Sequence, residues 1–143
     1  MKRPVQLFVA ACVLAAASAC TTDDPTATTS IPLVPSQPIV DTFAGTVAVT
    51  GKDTKVFSVT QGNGGLDITL TALVPSAVIG IGAGTWDPTT GCTLGSNATR
   101  NVSPGSAPQL SFTQIPVGDY CVQVYDVGNL TTAAAYNINV AHY

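Results

Sequence analysis

Four cysteines, one histidine and eight aspartates are the residues in this 143-residue chain whose types could do chemistry. Cys12, Cys20, Cys92 and Cys121 offer acylation, pairing or metal ligation. Their spacing does not suit a metal, since no C-x-x-C occurs and His142 stands near the far end. Nucleophilic hydrolysis needs a base beside a Ser or Cys, and the chain has neither a G-x-S-x-G elbow nor a second histidine. Glycoside cleavage by paired carboxylates would rest on Asp alone, because Glu is absent. Asp67 alternates outward on an expected strand, while Asp53, Asp87, Asp119 and Asp126 fall in turns, which Asp favours. Two of those loops together could hold calcium, the one cofactor these residues suggest. Gly80-Ile81-Gly82-Ala83-Gly84 has the glycine density of a phosphate loop, but Trp86-Asp87-Pro88 stands where its helix would begin. The expectation is a protein without catalytic activity.

The elements that position these residues start with an export segment. Lys2 and Arg3 precede an apolar run from Val5 to Ala16, and Ala17-Ser18-Ala19 is a small-residue cleavage site. The run is shorter than the ~20 residues of a spanning helix. Residues 1–19 are thus read as a signal peptide. Ordinary signal peptidase would cut after Ala19. The segment Ala17-Ser18-Ala19-Cys20 also resembles the bacterial lipobox, with Ala17 where Leu is usual; that resemblance implies a diacylglycerol on the Cys20 thiol. Cysteine arithmetic favours the lipid, because it leaves Cys92 and Cys121 as an even pair in an oxidising compartment. Residues 20–40, rich in Thr and carrying Pro25, Pro32, Pro35 and Pro38, read as a flexible tether, with Ile39 and Val40 apolar enough to dock as an edge strand. Thr21 after the Cys differs from an Asp retention signal, which points to the outer membrane or cell surface. Without the lipid, the expectation is a periplasmic or extracellular protein.

Composition excludes several partners. Past Ala19 the cations are Lys52, Lys55 and Arg100, against eight aspartates. So acidic a product has no footprint for nucleic acid and no basic stripe for anionic lipid.

Residues 41–143 show period-two alternation, marking an all-β domain. Expected strands are Thr46–Val49, Lys55–Thr60, a third with Leu66, Ile68, Leu70 and Ala72 inward, and Val78–Trp86 with Ile79, Ile81 and Ala83 inward. A loop then carries Cys92. A weak strand follows near Ala98–Val102, then Gln109–Thr113, one with Tyr120, Val122 and Val124 inward, and one lined by Tyr136, Ile138 and Val140. Eight short strands separated by turns predict an antiparallel two-sheet sandwich. No repeat of 20–50 residues is visible.

Gly45-Thr46-Val47, Lys55-Val56-Phe57-Ser58-Val59 and Leu66-Asp67-Ile68-Thr69-Leu70 resemble the bacterial pre-peptidase C-terminal domain. Gly118-Asp119-Tyr120-Cys121-Val122-Gln123-Val124 and Tyr136-Asn137-Ile138-Asn139-Val140 are similar to its ending. The resemblance implies a jelly-roll-like sandwich, generally non-catalytic, in some cases binding polymers or calcium. In a jelly-roll order the fourth and seventh strands are antiparallel neighbours. Cys92 and Cys121 then fall at one end of one sheet, which predicts a disulfide.

Gly80, Gly82 and Gly84 lie opposite the inward face of the fourth strand. Glycine within a strand marks close approach by something else. One reading has Tyr125 or a loop covering the bare backbone. The other is a shallow groove edged by Trp86 and Tyr125, with Gln123 beside it, suited to stacking on sugars. The resulting expectation is a lipid-tethered binding or adhesion module for polysaccharide or a surface polymer. The alternative is an accessory envelope protein that acts through protein contacts.

Overall fold

The computed structural model describes residues 37–143, so the signal segment, Cys20 and most of the tether lie outside the described residues. Within 37–143 the chain forms eight strands: β1 Ile39–Val47, β2 Lys52–Val59, β3 Gly64–Val74, β4 Ile79–Asp87, β5 Gly91–Val102, β6 Leu110–Ile115, β7 Gly118–Tyr125 and β8 Ala134–His142. One sheet runs β1-β8-β3-β6 and the other β2-β7-β4-β5, all neighbours antiparallel. Consecutive strands alternate between the sheets except β4 and β5, which form a hairpin. This is the strand order of a jelly roll.

Alternation sets the core. Ile68 and Leu70 of β3, Ile79 and Ile81 of β4, Val122 and Val124 of β7 and Ile138 and Val140 of β8 are fully buried between the sheets. Each contributes about 1.5–3 kcal/mol relative to exposure. Burying both inner faces at once is what lets neither sheet stand alone.

Three differences from the expected strands have physical causes. β1 runs Ile39–Val47 instead of Thr46–Val49: Ile39 and Val40 dock at the sheet edge as expected, and the strand continues because residues 39–45 pair with His142 through Tyr136 of β8. In β3 the pairing with β8 shifts register between Leu70 and Ala72, so Leu73, not Ala72, turns into the core; an inserted residue reverses the faces beyond it. The loop expected to carry Cys92 is shorter than foreseen. β5 starts at Gly91 and runs twelve residues, its pairing with β4 broken by a register shift opposite Gly82 and Gly84.

The two sheets are fastened at the β1–β2 side by polar groups. Tyr136 of β8 passes over Gly45 of β1 and donates its hydroxyl to Asp53 Oδ2 of β2 at 2.8 Å. A side chain at Gly45 would collide with both partners. Lys55 Nζ lies 3.2 Å from the same carboxylate oxygen. Burial pushes the Tyr136 phenol well above its ordinary value, with the hydrogen bond and the charge of Asp53 adding to it.

Candidate functional site

The site is assembled on the outer face of the second sheet, where register places residues in rows. Lys52 of β2 pairs with Tyr125 of β7, which pairs with Gly80 of β4. The next row is Thr54, Gln123 and Gly82, and the next Val56, Cys121 and Gly84. The glycine face predicted for β4 is therefore real, and Cys121, Gln123 and Tyr125 are its neighbours.

The glycine floor is not an open groove. The Tyr125 ring lies across Gly80, where a Cβ would overlap it. Leu94 and Thr99 of β5 close over Gly82, with Leu94 Cδ1 at 3.0 Å from where a Cβ would stand. At Gly84 a Cβ would strike the Thr93 carbonyl, so the close approach of β5 excludes any side chain there. The glycines serve to let neighbouring side chains lie flat on the sheet.

The disulfide joins Cys92 of β5 to Cys121 of β7, with Cα atoms 5.8 Å apart. Both strands flank β4, so the bond crosses over β4 and ties the three strands together. Cys121 is completely buried although it faces away from the core.

Beside this bond the face is hollowed. A cavity of about 430 Å³ is lined by Thr50, Gly51, Lys52, Leu94, Gln123, Tyr125 and Asp126. Gln123 forms part of its floor: the residue is 8% exposed, and Nε2 donates to Thr54 Oγ1 at 3.2 Å. Lys52 stands exposed on the rim and, among the described residues, makes no ion pair, whereas Lys55 is held by Asp53. The rim is shaped by Asp126. Its Oδ2 accepts from Thr50 N at 2.8 Å, and its Oδ1 from Gly128, Asn129 and Leu130 N at 2.9–3.1 Å. The Thr50 bond, with the other three, holds the Asp126 carboxyl below the usual carboxylate range. Both oxygens of Asp126 are thus committed to backbone N–H groups. Asp87 accepts from Thr89 N and Thr90 N through Oδ1 alone, and these bonds lower its carboxyl too. Of the four aspartates expected in turns, Asp87 and Asp126 are turn-builders, whereas Asp53 stands on β2 and Asp119 on β7, and among the described residues no group of three or more His, Cys, Asp or Glu converges on a metal position.

Of the residues predicted to bind, Gln123 and Tyr125 come together in the hollow and Trp86 does not. Trp86 shares the outer face of β4 but stands six residues from Gly80, about 20 Å along the strand at ~3.3 Å per residue. It packs near Gly91 at the hairpin end instead. Lys52 and Leu94 were missed. Lys52 lay just before the expected start of the second strand, and Leu94 in a stretch read as loop.

His142 sits far from this hollow. It is buried on β8, its ring tilted against that of Phe57 with centroids 5.4 Å apart, and with Nε2 3.0 Å from Asp41 Oδ2 of β1. Its Nδ1 has no hydrogen-bond partner among the described residues.

The architecture defines an eight-stranded jelly-roll sandwich with a polar-aromatic hollow on one outer face. Neither a family model nor a curated protein sequence matches the chain. Among solved structures it is similar to PliG of Aeromonas hydrophila, a periplasmic inhibitor of g-type lysozyme, at 10% identity over 74% of this chain and 88% of that one, TM-score 0.49. It is also similar to PliG of Salmonella Typhimurium, with the same described role, at 14% identity over 73% and 91%, TM-score 0.42. Likeness at this level transfers no residue and no partner to the present chain.

Proposed function

We propose that this chain is an exported, non-catalytic envelope module that holds a polysaccharide or similar surface polymer in the hollow on the second sheet. The observation that carries the reading is the grouping of Lys52, Gln123 and Tyr125 around one concavity on a disulfide-braced sheet. An aromatic ring laid flat on glycine offers a face for stacking. An amide and a rim ammonium beside it offer hydrogen bonds to hydroxyls. These groups stand on strands, so little order is lost on binding. The lipid on Cys20 and kinship with the pre-peptidase C-terminal domain belong to the same proposal: the anchor would hold the sandwich at the outer membrane or cell surface, with the tether giving it reach.

Retention on a panel of insoluble polysaccharides, peptidoglycan among them, tests the binding. The expected result is retention by the wild type and loss in Tyr125→Ala and Gln123→Ala, both still folded. Equal retention by these variants would remove the hollow from consideration, and retention by none of the panel would favour a protein partner. The anchor is tested by intact mass: wild type should carry a diacylglycerol that Cys20→Ser lacks.

A further inference from the structure

The hollow on the second sheet contains a carbonyl oxygen with nothing to accept from. Gln123 is more than nine-tenths buried, although it stands on the outer face of β7. Its Nε2 donates to Thr54 Oγ1, and its Oε1 has no partner among the described residues. Among those residues the one side-chain polar atom both unpartnered and sealed from solvent is His142 Nδ1, so Gln123 Oε1 opens into the hollow. A β-branched residue would suit a strand here better than a long amide. Burying an amide oxygen without a donor is costly, so the position favours a ligand that brings an N–H or O–H.

Beside that oxygen the wall is apolar. Gln123 pairs with Gly82 of β4, and the bare backbone of Gly82 lets Leu94 lie over it. Leu94 is half-buried and lines the hollow, so it offers methyl surface next to the Gln123 amide. The Tyr125 ring covers Gly80, two residues away along β4, or about 7 Å at ~3.3 Å per residue. A flat ring, an apolar group and an amide acceptor thus stand within reach of one sugar unit.

Charge narrows the ligand further. Past Ala19 eight aspartates oppose three cations. The Lys52 ammonium shares the hollow with the Asp126 carboxylate, so the site carries no net positive charge to hold a polyanion. A uronate or phosphate-rich polymer is disfavoured. Among neutral sugars, one bearing only hydroxyls satisfies Gln123 Oε1 but sets polar groups against the Leu94 methyls. An acetamido group meets both needs, giving its N–H to Oε1 and its methyl to Leu94. We infer that the hollow recognises an N-acetylated hexosamine, with the sugar ring on Tyr125 and the acetamido group between Gln123 and Leu94. The inference rests on the polymer-binding role proposed for this hollow and names the sugar it takes.

The test is a binding titration of the full chain with three tetramers, of N-acetylglucosamine, of glucose and of glucuronate. The N-acetylglucosamine tetramer should bind at least about tenfold tighter than the glucose tetramer, the low end for one methyl in an apolar contact, and the glucuronate tetramer weakest. Leu94→Ser should cut that preference by about the same factor. In the wild type, nuclear Overhauser contacts should join the acetyl methyl to the Leu94 methyls and the sugar ring protons to Tyr125, a readout that does not depend on the variant's folding. Chitin and peptidoglycan both carry the acetamido group, and retention on each tells the two sources apart. Equal affinity for the glucose tetramer, or an acetyl methyl without contact to Leu94, would overturn the inference and leave the polymer-binding role standing. No binding of any tetramer would overturn it as well, and absence of retention on every polysaccharide would remove the polymer-binding role with it.

Discussion

The two outward faces of this sandwich meet the same solvent but are built differently. On the first sheet the outward residues are mostly small or polar: Thr42 pairs with Asn139, which pairs with Thr69, and Asp67, Ala141 and the exposed Val40 stand in the next row. Their side chains bond one another or the backbone, as Thr42 does with Asn139 and Thr71 with the Asn137 carbonyl. This is an even, solvated surface. On the second sheet the outward residues include three glycines, a disulfide, a tyrosine and a nearly buried glutamine. Nothing from the first sheet covers Cys121 or Gln123. They are buried by side chains of their own sheet lying sideways across β4. The contrast shows that burial on the second outer face is a local construction, independent of the core, and that it leaves one concavity edged by aromatic, amide and ammonium groups.

Substitutions on the two faces test that contrast. The largest effect is expected from replacing Cys92 and Cys121 together by Ala. Their sequence separation is 29, and on the chain-entropy model closure of such a loop stabilises by roughly 3–4 kcal/mol. Urea unfolding should show a loss near that size. A loss close to zero would mean that β5 and β7 are held by other contacts. Next comes Gly80→Ala, which forces Tyr125 off the sheet; overpacking of this kind costs about 1–3 kcal/mol, and polymer retention should fall with it. The smallest effect is expected on the plain face: Thr42→Ala should change stability by no more than about 0.5 kcal/mol and leave retention intact.

Acid should act on the hollow through its rim. Asp126 has a folded pKa below its ordinary value. Its contribution to stability is therefore present above the unfolded carboxylate pKa of about 3.9 and is lost as pH falls through the depressed folded value. Asp126→Asn should lower the urea midpoint at pH 7, and the difference from wild type should shrink in strong acid. A constant difference across that range would show that the Thr50 and Leu130 bonds do not depend on the charge.

The core was more legible in the sequence than the site. Tyr136, Ile138 and Val140, and Ile79, Ile81 and Ala83, show their faces by simple alternation because each packs between two sheets. Leu73 escaped because a bulge is an inserted residue, and no residue type announces one in Thr71-Ala72-Leu73. β5 escaped because Gly95-Ser96-Asn97 carries no apolar period; its course follows from pairing with β4, a long-range effect. The glycine face of β4 was readable, and so was Tyr125 as a cover for it, but not Leu94 and Thr99 over Gly82. Tyr125 could be placed over it by strand neighbourhood, whereas separating Trp86 from Tyr125 required the register.

On the proposed function, the outer face of the second sheet is the binding face. Backbone amide shift mapping tests it most directly, during titration of the full chain with soluble oligosaccharides of whichever polymer retains the protein. The largest perturbations are expected at Lys52, Leu94, Gln123 and Tyr125, abolished in Tyr125→Ala. A map centred on Thr42, Thr69 and Asn139 of the first sheet would contradict it.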